Sequence, residues 1–100
     1  MADYIIDIVQ PGQRLAILLG LRDAPGGRLN EHDLLRWLDL MAYRPTRDQV
    51  RDLLRDLRAL DAVRVDMAGE IMIATLTARG EDHIERRGTP LQAVALPPRD

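Results

Sequence analysis

The chain has 100 residues, with 14 arginines against 16 acids, a formal net charge of −2, and no cysteine, serine or lysine. That length carries one domain. The missing residue types exclude disulfide frameworks, cysteine-ligated zinc, thiol nucleophiles and serine nucleophiles. A slightly acid balance argues against indiscriminate nucleic-acid binding. Residues 3–9, "DYIIDIV", place Ile5, Ile8 and Val9 at helical spacing, so a short helix is expected there, ended by Pro11 and Gly12. Residues 13–23 are apolar almost all round. Leu15, Leu18 and Leu19 form one stripe, Ile17 and Leu21 a second, so both sides of this helix require cover. A dimer interface at Ile17 and Leu21 is one source of it. The N-terminal "YIIDIV" and the tail "LQAVAL" are others.

"APGG" at 24–27 stops that helix. Asn30 then reads as an N-cap, and Glu31 and Asp33 place acid in the first turn of a helix over 31–42, with Leu34, Leu35, Leu38 and Met41 on one face. Thr46 followed by Gln49 three residues later reads as a capping box, opening a helix that runs to about residue 60. Two short β-prone runs, 63–65 and 71–74, flank Gly69 as a hairpin. Thr77 caps a last helix over about 78–87. The expected fold is mostly α with a small β-hairpin, in the order helix, helix, helix, hairpin, helix. That is a winged helix-turn-helix over residues 1–88, with a Pro-containing C-terminal tail at 89–100.

The segment "PTRDQVRDLLRDLRALDAVRVDMAGEIMIATLTARGEDHIE" carries a resemblance. Its "ATLTARG", Ala74 to Gly80, is similar to the junction between wing and helix in many winged-helix regulators. Together with the capped "TRDQV" it resembles a small winged-helix family of Mu-like bacteriophages and prophages, often labelled regulators of the ArsR (arsenic-repressor) type. The likeness covers about residues 13–87. It implies the fold firmly and transcription regulation more weakly, since such labels rest on fold. The chain departs from the metal-sensing pattern: it has no cysteine and only His32 and His83. No metal site and no cofactor are expected. His32 is expected on the surface, His83 on the surface or packed at an inner edge.

The helix from 46 carries the functional question. At about 100° per residue, Arg47, Arg51, Arg55 and Arg58 share one sector, Asp48, Asp52 and Asp56 the next, and Val50, Leu53, Leu54, Leu57 and Leu60 the third. Residues 44–64 hold six Arg against four Asp, the most basic part of the chain. One reading has Arg44, Arg47, Gln49, Arg51, Arg55 and Arg58, with Arg64 on the wing, contacting double-stranded DNA. The other has the charges satisfying one another, as Asp48 with Arg51, Asp52 with Arg55 and Arg58 with Asp61, which leaves a solvated or protein-binding face. The acid stripe, and Asp66 and Glu70 beside the wing turn, favour the second reading. The fold and the resemblance nonetheless make the leading expectation a homodimeric, cytoplasmic winged-helix DNA-binding regulator of phage origin. The alternative is a winged-helix protein-interaction module. No motif of an enzyme is present, and no run is long and apolar enough to span a membrane.

Overall fold

The computed structural model describes residues 2–98, with the backbone course alone for 2–7. It contains four α-helices and a three-stranded antiparallel sheet. Helix α1 spans Ala2–Asp23 without a break. The expected interruption at Pro11 does not occur. Proline deletes one amide donor, but its fixed φ is helical, so the helix loses one bond and continues.

The second stripe of α1 finds its cover within the chain. Ile17, Leu18 and Leu21 are fully enclosed, so Ile17 and Leu21 belong to the core of one chain rather than to a subunit contact. Packing against α2 (Glu31–Leu40) is close. A methyl at Gly20 would lie 2.7 Å from the Trp37 ring, and Trp37 Nε1 donates to the Ala16 carbonyl at 2.7 Å. The glycine lets the indole reach the helix backbone.

Between α1 and α2 a short 3-10 turn, Pro25–Gly27, leads into strand β1, Arg28–Asn30. This strand was not expected. It has only three residues, and its partner lies far along the chain: Leu29 pairs with Ala74 of β3. Helix α3 spans Arg47–Ala59, β2 Val63–Ala68, β3 Ile71–Leu76 and α4 Ala78–Ile84. The sheet order is β1-β3-β2. One face carries Leu29, Ala74 and Val65 in register, with Val63 and Met72, toward the core. The other carries Arg28, Thr75 and Arg64 in register, facing out.

The caps at Asn30, Thr46 and Thr77 are all made, and the Thr46–Gln49 box is reciprocal. The C-terminal ends share another device. After α2, Tyr43 N bonds to Leu38 O and Ala42 N to Asp39 O; after α3, Ala62 N to Leu57 O and Asp61 N to Arg58 O; after α4, Arg87 N to Asp82 O and Arg86 N to His83 O. This is the Schellman pattern, with Ala42, Asp61 and Arg86 at positive φ where glycine is usual. It ends α2 at Leu40 and α4 at Ile84, earlier than residues 42 and 87.

The tail packs into the same body. Leu91 and Val94 are buried in the core cluster. His83, 1% exposed, clasps the tail at two points. Its Nδ1 accepts from Leu91 N at 2.9 Å, and Nε2 lies 2.8 Å from Ala95 O. An acceptor at Nδ1 assigns the proton to Nε2, which donates to that carbonyl. Ala95 N in turn donates to Pro11 O at 3.1 Å. Among the described residues, no helix is long and apolar enough to cross a membrane.

Candidate interaction face around helix α3

Val50, Leu53, Leu54 and Leu57 seat α3 on the core. Its basic flank turns toward the β2–β3 hairpin and its acidic flank toward α1. The basic flank is tied down by Glu31, the first residue of α2, which is wholly buried. Glu31 Oε1 accepts from Arg47 Nε and Arg51 Nε, both at 2.8 Å. Its Oε2 accepts from Arg51 Nη2 at 2.8 Å and from Met72 N at 2.5 Å. Arg47 Nη2 and Arg51 Nη2 also reach the Glu70 carbonyl in the hairpin turn, at 3.1 and 2.6 Å.

This carboxylate is buried yet ionised. The bidentate Arg51 hydrogen bonds lower its pKa most, helped by Met72 N and Arg47, against the upward pull of burial, and hold it at about 2. The same pairing raises the pKa of Arg51. The cluster pins three elements together: the start of α2, the first half of α3 and the hairpin. Glu31 was legible only as an acid complementing a helix N-terminus. Its true partners lie 16, 20 and 41 residues away.

Two of the four helix arginines are thus engaged inside the fold, with side chains 47% (Arg47) and 21% (Arg51) exposed. Arg55 pairs with Asp52 at 3.0 Å, as the sequence suggested. Asp56 pairs instead with Arg14 of α1 at 2.9 Å. The proposed pairs Asp48–Arg51 and Arg58–Asp61 do not form among the described residues. Arg44, Arg58 and Arg64 are exposed and make no ion pair among the described residues. Arg64 sits on the outer sheet face beside Thr75 and Arg28, apart from the arginines of α3. Gln49 spends its side chain on the capping box.

The outward ridge of α3 bears Asp48, Asp52 and Arg55, lying about 80–140° round the helix from Arg47, and Arg58 stays exposed on the basic flank near its C-terminal end. Asp52 is 71% exposed, against 59% for Arg55. On the α1 side of this ridge a cavity of about 250 Å³ is lined by Gln10, Gln13, Gln49, Asp52 and Asp56 over Val9 and Leu53. Among the described residues no group of three or more His, Asp or Glu side chains is placed to hold a metal ion. His32 is exposed and His83 is committed to the tail. No family model matches the chain, and no curated protein or solved structure does.

Proposed function

We propose that this chain is a winged-helix module that binds a protein partner through the face of α3 and does not bind DNA. The winged-helix reading is supported by the order of elements: a helix pair, α2 and α3, joined by a short turn and followed at once by a two-stranded hairpin. On that reading α3 is the recognition helix and β2–β3 the wing. The observation that carries the choice of partner is the Glu31 cluster. The two arginines nearest the start of α3 already hold a carboxylate and a wing carbonyl, so a phosphate must displace Glu31 to gain their full strength. The ridge left facing outward bears two carboxylates and one arginine, which disfavours a phosphate backbone there, and only Arg44 and Arg58 near it stay exposed and unpaired among the described residues. The resemblance to phage winged-helix proteins fits this reading equally well, since it implies a fold.

Retention on heparin and fluorescence titration with mixed duplex DNA test the proposal. The protein should elute from heparin near physiological salt and show no saturable DNA binding there. Tight retention, with a log–log salt slope steeper than about −3, would require several phosphates neutralised by each subunit. That outcome returns α3 to the DNA-binding role.

A further inference from the structure

Strand β2 has a neighbour, β3, on one side only. The hairpin turns on two residues, Gly69 and Glu70, with Ala68 opposite Ile71. In such a hairpin the closing pair, and every second pair behind it, exchange backbone hydrogen bonds. Two contacts fix the same alternation. Thr77 N donates to Ala62 O at 3.2 Å, which continues the ladder in that register, and Met72 N turns away from β2 to Glu31. Arg64, Asp66 and Ala68 therefore spend their amides and carbonyls on β3, while Val63, Val65 and Met67 aim theirs out of the sheet. Those outward groups meet no hydrogen-bond partner among the described residues. Val63 is buried, but Val65 is half-buried and Met67 is 52% exposed, so the edge is open from residue 64 onward.

From this edge we infer that a second copy of the chain pairs with β2, antiparallel and centred on Val65, joining the two three-stranded sheets into one. The surface is a different one from α3, and the inference does not depend on the reading of that helix. An open strand edge is a template for another strand, and the charges along it select which. Arg64 and Asp66 project from the outer sheet face, exposed and without an ion-pair partner among the described residues. With Val65 opposite Val65, the Arg64 of each chain stands opposite the Asp66 of the other. That is a position without ladder bonds, where the Cα atoms come to about 4.5 Å and the side chains are closest. The Val65 N–H of each chain donates to the Val65 carbonyl of the other, and the open Met67 comes beside the start of the second copy's strand. Moving the centre by one residue sets Arg64 against Arg64, or Asp66 against Asp66, and like charges directly opposite destabilise a sheet. A strand or phosphate backbone carrying a single sign of charge is repelled by one of the two residues. The chain's own strand, reversed, satisfies both.

Sedimentation of the whole chain across about 1–100 μM tests this, with hydrogen exchange measured at the same concentrations. A dimer should form as concentration rises. The Val65 amide should become protected as it does, while the amides of Arg64 and Asp66, bonded to β3, should be protected throughout. Arg64→Asp should weaken dimerisation at least about tenfold, because two opposite-charge pairs become like-charge pairs. Asp66→Arg should do the same, and the two changes together should restore the wild-type affinity. Both side chains are exposed, so circular dichroism should show each variant folded. A chain that stays monomeric at about 100 μM overturns the inference. So does a dimer whose Val65 amide exchanges as in the monomer, or one indifferent to both single variants, since the contact then lies on another face.

Discussion

Arg51 meets Glu31 side-on, with Nε donating to Oε1 and Nη2 to Oε2, each at 2.8 Å. The paired geometry matches a planar guanidinium to a planar carboxylate. It explains how a wholly buried acid stays ionised, and it makes acid the condition that undoes the fold at a known place.

Glu31 is held at about 2, below its ordinary 4.5. A folded pKa below the unfolded one means that the ionised group stabilises the fold. That contribution is complete above about pH 4.5 and is lost as pH falls toward 2. A gap of that size corresponds to about 3 kcal/mol at neutral pH. Thermal melts between pH 6 and 2 should show a steep loss of stability across this window. Glu31→Gln should lower stability at pH 7 by about 3 kcal/mol, as expected for one partner removed from a buried pair, and should flatten the loss below pH 4.5. Parallel melting curves for the two proteins would show that Glu31 is not the group responsible.

The C-terminal ends of the helices offer a gain of stability. Ala42 and Arg86 occupy left-handed backbone, at φ 66° and 58°. A side chain costs about 1 kcal/mol there, and glycine does not pay it. Ala42→Gly and Arg86→Gly should each raise stability by about 0.5–1 kcal/mol in urea unfolding. A loss of stability at Ala42 would mean that its methyl makes a contact worth more than the strain.

The same ends show where sequence signals stop. The N-caps at Asn30, Thr46 and Thr77 are local, carried by side chains within three residues of their amide, and each was legible. The ends at Leu40 and Ile84 were not, because Ala42 and Arg86 stand where a glycine would have announced the turn. Strand β1 was missed because three residues carry no period, and its hydrogen bonds go to residues 73–75. The Asp52–Arg55 pair, three apart on one helix, was foreseen. The partners of Arg47, Arg51 and Asp56 sit on other elements, so no spacing reveals them. The core face of α3 was read correctly because five branched residues on one side leave no other orientation.

His83 should act as the clasp of the tail. Replacing it by Ala leaves the Leu91 amide and the Ala95 carbonyl without their partner, at about 1–3 kcal/mol for each group that stays dry. The tail avoids that cost by undocking. Hydrogen exchange should therefore accelerate at the amides of Leu91 and Ala95, the latter bonded to Pro11 O, while Val50 to Leu57 remain protected. Uniform acceleration through α3 would show that the tail and the core unfold as one unit, and that His83 supports the whole domain.

The two stripes of α1 give the last prediction. Ile17 and Leu21 have no exposed surface in the single chain, and α1 packs on α2, α4 and β3. A glutamate at either position must enter the apolar core. Burial of an unpaired charge costs several kcal/mol, a large share of the roughly 5–15 kcal/mol that holds a small domain together. Ile17→Glu and Leu21→Glu should thus unfold the chain or leave it barely folded. Circular dichroism and sedimentation read together decide it. A well-folded monomer from either variant would place the side chain at a subunit contact instead, since only a surface position tolerates the charge. Loss of helical signal together with loss of a compact sedimenting species would confine both residues to the core of one chain.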